Sequence, residues 1–279
     1  MKKENLKRID LIEYKELIKE MLNDFHLLCM KNQLKYFVAY GTLIGAVRHN
    51  GFIPWDDDVD VCMPREDYEK LIKIMDEHNE KYYMLTPFNS RYYFNNFSRF
   101  CSRKGKLDLK GVVYIDNLGP FIDVIPLDRV PDNQLERSVY YKRVREYFES
   151  IRYSLPSRYY RELSWKGRVK MHMNIPKKII NKYFVGLEKL KEQREKYITQ
   201  YNSENTGILC GSFDRQSDKL LIFENEIEQL VVHKFEDINI LIPAEYDAIL
   251  TRTYGDYMKY PPVELQVAHH HFIPYWNVI

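Results

Sequence analysis

A short acidic stretch constrains the fold of this 279-residue chain more than any other feature. It consists of Trp55-Asp56-Asp57-Asp58-Val59-Asp60-Val61-Cys62-Met63, and from Asp58 onward acidic and apolar residues alternate. Alternation with a period of two is typical of a β-strand that has one buried and one polar face. The sequence therefore predicts a strand over residues 58–63 in which Asp58 and Asp60 lie on one face, about 6.5–7 Å apart along the chain.

The segments around this strand predict a mixture of helices and strands. Apolar residues recur at helical spacing over residues 5–31, with Leu17, Met21 and Phe25 on one face. The other predicted elements are, in chain order, a strand over 36–40, a short helix over 43–48, a turn over 51–55, a helix that begins with Pro64 and continues over 65–78, several strands over 82–127, helices over 132–200 interrupted at Pro156 and Pro176, a β-rich stretch over 207–242, and a last helix from Pro243 to Gly255.

The composition excludes several classes of protein. With 14% aromatic and 45% hydrophobic residues, the chain is not disordered, collagen-like or a coiled coil. No apolar run approaches the roughly 20 residues of a membrane-spanning helix, and the first residues are charged, unlike a signal peptide. The four cysteines form no CxxC pair, which favours reduced thiols without structural zinc. These features predict a cytoplasmic protein.

The acidic side chains indicate a metal ion. Carboxylates as close as those of Asp58 and Asp60 repel each other unless a cation lies between them, and hard oxygen ligands favour Mg²⁺ or Mn²⁺. Because Mg²⁺ commonly bridges protein carboxylates to substrate phosphates, the pattern favours phosphoryl chemistry. A third acid, Asp123, lies alone in the apolar run Phe121–Leu127. We predict that Asp123 is a metal ligand or the base that deprotonates an attacking hydroxyl; the alternative is an edge-strand acid or the partner of a core arginine.

The acidic stretch allows two other interpretations and excludes a third. The acids could form a solvated turn, or Asp58-x-Asp60 could be the nucleophile strand of a haloacid-dehalogenase-type phosphatase, although that strand needs a buried apolar run before its first Asp. A calcium loop is excluded, because it needs Gly at its sixth and Glu at its twelfth position, where this chain has Val61 and Asp67.

Gly41 and Thr42 predict a phosphate-binding corner. A strand that ends in Gly-Thr and leads at once into a helix presents backbone N–H groups to an anion, and the Thr hydroxyl can donate to a phosphate oxygen. The alternative is an ordinary turn. The chain contains neither a GxxxxGK[ST] nor a GxGxxG motif, so a P-loop and a dinucleotide fingerprint are excluded.

The middle of the chain is basic. Residues 152–196 contain 13 Lys and Arg against 4 Glu, interleaved with aromatic residues, in a chain whose overall net charge is +2. Such a segment can lie against an anionic membrane or bind a polyanionic acceptor; the alternative is a solvated helical face above core aromatics. Without an RNA-binding motif beside this charge, no nucleic-acid partner is predicted.

Several stretches together carry a family resemblance. They are Tyr40–Asp60 (YGTLIGAVRHNGFIPWDDDVD), Met63–Tyr68 (MPREDY), Ile122–Asp128 (IDVIPLD), and Tyr254–Met258 (YGDYM) followed by Pro261-Pro262 and His269-His270. In these stretches the chain resembles the LicD family, a branch of the nucleotidyltransferase-fold superfamily that includes fukutin-related protein. The resemblance covers residues 36–128 and 240–270 approximately, and it leaves the basic segment unmatched.

The resemblance implies a fold and a domain organisation. The expected class is α/β (α+β), with a nucleotidyltransferase-like mixed β-sheet core, flanking helices and a helical basic insertion. The expected parts are a catalytic core over residues 1–130, the basic insertion over 131–205, and a C-terminal part over 206–279 that completes the core.

The resemblance also implies an activity. The expected enzyme is a metal-dependent phosphotransferase that moves phosphocholine from CDP-choline to a hydroxyl of a cell-surface glycan, such as teichoic acid or lipopolysaccharide, or of its lipid-linked precursor, and releases CMP. Asp58, Asp60 and Asp123 match the catalytic and Mg²⁺-binding (or Mn²⁺-binding) acids, and Gly41 and Thr42 match the substrate-binding corner. We predict Arg48 and His49 as additional donors to phosphate. The expected location is cytoplasmic, with peripheral contact to the inner face of an anionic membrane through residues 152–196 as an option.

Other functions remain open at this stage. The donor alcohol could be ribitol or glycerol, carried by CDP, or the enzyme could transfer the nucleoside monophosphate itself and release pyrophosphate. A glycan-binding protein without activity is the remaining class. If the alcohol is choline, aromatic rings could hold its quaternary ammonium; the candidates are Tyr92-Tyr93-Phe94 and Phe97, or Tyr257 and Tyr260.

Overall fold

The computed structural model describes residues 7–76, 80–109, 115, 118–155, 185–211, 218–268 and 272–277. In this part of the chain, a mixed β-sheet is flanked by helices, which confirms the predicted fold class. The α-helices are α1 (Leu11–Lys31), α2 (Tyr40–Ile44), α3 (Arg65–Asp76), α4 (Gln134–Ser154), α5 (Leu187–Ile198) and α6 (Tyr246–Tyr254). A π-helical turn (Gly45–His49) continues α2, and 3-10 turns cover Thr199–Tyr201, Asp218–Leu220, Glu224–Ile227 and Val263–Leu265.

The strands form one large sheet and two separate antiparallel pairs, β9–β10 and β5–β11. They are β1 (Phe37–Val38), β2 (Asp60–Pro64), β3 (Tyr82–Leu85), β4 (Ser98–Ser102), β5 (Gly105–Leu109), β6 (Phe121–Arg129), β7 (Ile208–Cys210), β8 (Ile222–Phe223), β9 (Leu230–Phe235), β10 (Ile238–Pro243) and β11 (Phe272–Trp276). The large sheet has the order β1-β2-β6-β4-β3, with β7 joining β6 to β8. The pair β2–β6 is parallel, whereas the other pairs of this sheet are antiparallel.

Strand β6 lies at the centre of the sheet, and eight of its nine residues are buried. Its apolar residues pack with those of α1, whose buried face includes the predicted Leu17, Met21 and Phe25. Helix α1 begins at Leu11 and not at residue 5, because Asp10 caps it: the Asp10 side chain accepts from the Glu13 amide, and the Glu13 side chain accepts from the Asp10 amide.

The residues before α1 pair with the last strand. Arg8 forms a β-bridge with Tyr275, the Ile9 amide donates to the Pro274 carbonyl at 2.9 Å, and the Trp276 amide donates to the Lys7 carbonyl at 2.9 Å. Strand β11 also pairs with β5. We refer to this pairing of residues 7–9 with 274–276 as the terminal seam; it anchors the start of α1.

Several predicted boundaries are wrong by one to three residues. Strand β2 begins at Asp60 and not at Asp58, α2 begins at Tyr40 and not at Leu43, and Pro64 ends β2 where it was expected to begin α3. The last helix begins at Tyr246 and not at Pro243, because Pro243 still pairs with Leu230 in the β9–β10 ladder. For Pro64 and Pro243, pairing with Leu127 and Leu230 extends a strand beyond its local sequence signal.

Helices α4 and α5 pack against each other in the region predicted to be helical. The predicted interruptions at Pro156 and Pro176, and the basic residues between them, lie outside the described residues. The domain boundaries near residues 130 and 205 stay a prediction. All four cysteines are buried and free of disulfides. Across the described ranges, no helix has both the length and the apolar character needed to cross a membrane.

Candidate active site

Two neighbouring strands bring the predicted acids together. In the parallel β2–β6 ladder, Asp60 lies directly opposite Asp123, and the Asp123 amide donates to the carbonyl of Val59 at 2.9 Å. Because side chains alternate along each strand, residues in register on adjacent strands project from the same face. Two acids that are 63 positions apart in the sequence are therefore neighbours at the beginning of β2.

The loop before β2 forms an acidic cluster. Each of Asp56, Asp57 and Asp58 contributes a carboxylate oxygen, and these three atoms lie within 4.8 Å of one another. A turn organises the loop, since the Asp56 amide donates to the Ile53 carbonyl at 3.0 Å. Asp58 therefore groups with its two predecessors at the end of a loop, and the expectation that it starts the strand is wrong.

Like charges at this distance perturb each other. Burial, together with the neighbouring charges of Asp58 and Asp57, raises the pKa of Asp56 from 3.8 to about 7. Without a cation, Asp56 thus keeps its proton up to pH values at which an isolated aspartate has already lost it. A divalent cation would replace that proton and relieve the repulsion.

Gly41 and Thr42 lie beside these acids, although at the start of α2 and not in a turn before it. A Cβ on Gly41 would come within 2.8 Å of the Asp56 Oδ2 atom, so any side chain here would displace that carboxylate. The Thr42 Oγ1 atom accepts the amide hydrogen of Asp60 at 2.9 Å. The corner therefore fixes the positions of Asp56 and Asp60; its predicted contact with phosphate stays a prediction.

Asp123 pairs with a largely buried arginine, as its alternative interpretation expected, although the sequence did not single out Arg99. The Arg99 Nε atom donates to Asp123 Oδ1 at 2.7 Å, and the guanidinium carbon lies 3.7 Å from the centroid of the Phe121 ring. Arg99 is on β4, opposite Asp123 in the antiparallel ladder. The sequence did contain a signal for this pair: Arg99 is the one charged residue in the segment Phe97–Cys101, just as Asp123 is the lone acid in the apolar run of β6.

Arg48 and His49 contact the segment 257–260. The Arg48 Nη1 atom donates to the carbonyls of Tyr257 at 2.6 Å and Lys259 at 3.2 Å, and its guanidinium carbon lies 4.8 Å from the centroid of the Tyr260 ring. The His49 ring makes edge contacts with Tyr260 and Trp55. Burial and the neighbouring Arg48 lower the pKa of His49, so its imidazole is neutral at pH 7. Their contact with a donor phosphate stays a prediction.

The aromatic candidates for an ammonium site occupy different environments. Tyr93 is buried, and the Tyr257 hydroxyl donates to Asp247 Oδ1 at 2.6 Å. Tyr260 is exposed and its ring centroid lies 6.2 Å from that of Trp55, the residue before the acidic cluster. Of the predicted rings, Tyr260 is thus the one that the described contacts connect to the acidic loop.

The donor set fits a hard divalent cation. Asp58 belongs both to the acidic cluster and to the predicted set Asp58, Asp60 and Asp123, and all of these offer carboxylate oxygens, the ligands that Mg²⁺ and Mn²⁺ prefer. The raised pKa of Asp56 indicates surplus negative charge, which such a cation would neutralise. The described residues therefore suit the predicted metal.

Part of the predicted basic surface is buried. Lys191 and Arg194 of α5 were counted among the 13 basic residues of the segment 152–196, but their relative exposures are 0% and 1%. Neither can contact a membrane or a polyanion. Most of the remaining segment (156–184) lies outside the described residues, so the membrane contact stays a prediction.

Comparisons with known proteins relate the sequence of this chain to a family and to individual proteins. A family model described as "LicD/FKTN/FKRP, nucleotidyltransferase domain" matches residues 33–178. The lipopolysaccharide cholinephosphotransferase LicD of Haemophilus influenzae is 29% identical over 273 residues, which cover 95% of this chain and 97% of that protein. An uncharacterised protein of Rickettsia prowazekii is 40% identical over 67 residues, 24% of this chain and 25% of its own.

Proposed function

The chain belongs to the LicD/FKTN/FKRP family of nucleotidyltransferase domains, and from this premise we propose that it is a transferase that moves phosphocholine from CDP-choline to a hydroxyl of a cell-surface glycan or its lipid-linked precursor, with release of CMP. The class of transferred group rests on the similarity to the Haemophilus cholinephosphotransferase, which extends over 95% of this chain.

The observation that carries the chemistry is the register of β2 and β6. It brings Asp123 beside Asp60, next to the cluster that contains Asp58. A donor diphosphate is negatively charged, so a group of carboxylates can receive it only with a cation between them. Mg²⁺ or Mn²⁺ held by Asp58, Asp60 and Asp123 would neutralise charge on the diphosphate and on the leaving CMP.

The protein residues have separate tasks in the proposed transfer. The acceptor oxygen forms a bond to the phosphorus that carries choline, the bond from this phosphorus to the CMP oxygen breaks, and the hydroxyl proton passes to a carboxylate. Asp123 is the candidate for this base as the alternative to its role as a metal ligand, in which case Asp58 and Asp60 hold the cation without it. Arg99 fixes one Asp123 oxygen. Thr42 fixes the Asp60 backbone, and the absence of a side chain at Gly41 leaves the Asp56 carboxylate its space.

A donor screen tests the proposal. The purified protein is incubated with Mg²⁺, a glycan acceptor, and CDP-choline, CDP-ribitol or CDP-glycerol, and released CMP is measured for each donor. We expect CMP from CDP-choline and a phosphocholine-labelled acceptor. Preference for CDP-ribitol or CDP-glycerol would show that the transferred alcohol is ribitol or glycerol and not choline. Release of pyrophosphate from a nucleoside triphosphate would identify the enzyme as a nucleotidyltransferase.

The Asp58→Asn variant tests the assignment of the acids. Because Asp58 belongs to both carboxylate groups, we expect kcat to fall by about 10³-fold or more. The melting temperature should stay equal or rise, since one of three repelling charges is removed. Asp108→Asn, an exposed position on β5, is the matched control and should keep wild-type turnover. Near wild-type kcat for Asp58→Asn would refute the site.

A further inference from the structure

A lysine of helix α1, Lys15, contacts the loop that carries the acidic cluster. The Lys15 Nζ atom donates to the carbonyl of Ile53 at 3.1 Å and to that of Pro54 at 2.9 Å. Lys15 precedes the residues matched by the family model, which begin at residue 33. Its two acceptors are separated from it by 38 and 39 positions in the sequence, so this is a tertiary contact between α1 and the loop.

One carbonyl links Lys15 to the acids. The Ile53 oxygen accepts from Lys15 Nζ and also from the Asp56 amide at 3.0 Å. That second hydrogen bond closes the turn from which Asp56 projects. Movement of the Ile53 carbonyl would therefore change the direction in which the acidic loop leaves the turn.

The surroundings of Lys15 hold it at this point. Its Nζ atom lies 5.5 Å from the centroid of the Phe52 ring, and its side chain is half-buried. Burial lowers the pKa of Lys15, while the negative charges of Asp56, Asp57 and Glu236 raise it. Lys15 thus lies within the field of the cluster, although the hydrogen bonds described here go to backbone carbonyls.

We propose that Lys15 is a positioning residue: by holding the carbonyls of Ile53 and Pro54, it keeps the turn in the conformation that directs the Asp56–Asp58 carboxylates toward one divalent cation. The proposal rests on the metal dependence of the proposed function, but it concerns the geometry of the loop and not the identity of donor or acceptor.

The alternative role of Lys15, as a simple counter-charge, predicts the opposite sign. A lysine near three carboxylates repels a divalent cation, so Lys15→Met would strengthen cation binding if the charge were all that mattered. If the lysine positions the loop, its loss would weaken binding in spite of the removed charge. The direction of the change therefore separates the two roles.

The first experiment measures Mn²⁺ binding to the full chain, without donor or acceptor, from the electron paramagnetic resonance signal of free Mn²⁺. For Lys15→Met we expect affinity to fall about tenfold, the effect of losing charge-assisted hydrogen bonds. Lys15→Arg, which keeps charge and donors, should restore affinity to within about threefold of wild type, and Lys15→Gln should lie between the two.

Lys19→Met is the matched control. Lys19 lies one turn further along α1 and pairs with Glu16, Glu236 and Asp237, so its loss removes comparable interactions without a hydrogen bond to the 53–54 carbonyls. We expect its Mn²⁺ affinity to be unchanged. Tighter binding by Lys15→Met, or an equal loss in both variants, would overturn the proposal.

A second measurement needs no metal. Hydrogen exchange at the Asp56 amide reports directly on the turn, because this amide donates to Ile53. We expect faster exchange there in Lys15→Met than in wild type or Lys19→Met, and unchanged protection would contradict the proposal. Since both readouts omit substrates, failure of the phosphocholine assignment would leave them unaffected, and their failure would leave that assignment standing.

Discussion

Two loops of this protein, residues 53–58 and residues 86–95, both hold charged groups away from bulk water, but they balance those charges in opposite ways. In the first, three carboxylates lie within 4.8 Å of one another and the pKa of Asp56 is raised to about 7. In the second, cations from α5 are matched with backbone oxygens. The first loop carries surplus negative charge, whereas in the second the buried cations are satisfied by hydrogen bonds to the fold's own carbonyl oxygens.

The second loop is built around a buried ammonium group. The Lys191 Nζ atom donates to the carbonyls of Pro87 at 2.7 Å, Ser90 at 2.9 Å and Arg91 at 2.9 Å. An ammonium group has three hydrogens, so this set uses all of them. One turn along α5, Arg194 donates to the next carbonyls of the loop, including that of Asn95 at 2.7 Å.

The contrast separates structural from functional charge. A buried cation whose donors are all used fixes a loop and has nothing left for a ligand, whereas a cluster of like charges destabilises the fold until something binds it. Replacing the charged residue should therefore stabilise the first loop and destabilise the second. The following predictions test this difference, beginning with the largest expected effect.

For Asp56→Asn, the contrast predicts a pH-dependent gain in stability without metal. Because the folded-state pKa of Asp56 is about 7 and the ordinary value is 3.8, the folded chain binds this proton more tightly, and wild-type stability falls as pH rises between these values. The variant should avoid this loss, which amounts to at most about 4 kcal/mol above pH 7.

Urea unfolding of wild type and Asp56→Asn in EDTA, at several pH values from 4 to 8, measures this effect. The difference in unfolding free energy should grow across that range and shrink when Mg²⁺ is added, since a bound cation stabilises the wild-type cluster. A difference that does not change with pH would contradict the account of the acidic loop.

For Lys191→Met, the contrast predicts a loss of stability of about 3 kcal/mol, because three carbonyls would be left without their donor. Urea unfolding measures the loss, and Lys189→Met, at an exposed position on the same helix, should stay within about 0.5 kcal/mol of wild type. Folded Lys191→Met should keep most of its turnover. A loss of turnover without a loss of stability would show that Lys191 has a functional and not a structural role.

For Thr42→Val, the smallest effect is expected. The Asp60 amide would lose the Oγ1 acceptor at 2.9 Å, and an unsatisfied buried N–H costs about 1–2 kcal/mol. Thr42→Ser keeps the oxygen and should recover most of that stability in the same urea experiment. Equal stability of the Val and Ser variants would show that this hydrogen bond does not support the site.

The sequence predicted the elements of the fold better than their ends. The alternating pattern predicted β2 and the apolar run predicted β6, because burial of one or both faces of a strand determines which of its positions are apolar. The parallel register places Asp60 opposite Asp123, while their shared role at a metal ion stays a prediction. The clustering of Asp58 with Asp56 and Asp57 was not predictable, since it depends on a turn closed by the Ile53 carbonyl and not on any local period.

Ion pairs between residues that are distant in the sequence could not be predicted from local sequence patterns. Strand β6 carries two acids, Asp123 and Asp128, and the sequence cannot separate their roles. In the structure Asp128 is fully buried and pairs with Arg65 and Asn202, a structural connection. Lys191 was likewise counted as surface charge, because composition does not record which side chains a tertiary contact encloses.

The terminal seam has a consequence for synthesis of the protein. Helix α1, which carries Lys15 to the acidic loop, is anchored by residues 7–9 against residues 274–276. A nascent chain emerging from the ribosome has its first helix long before it has the strand that secures it. The carboxylates would thus reach their final arrangement only after residues 274–276 have been translated.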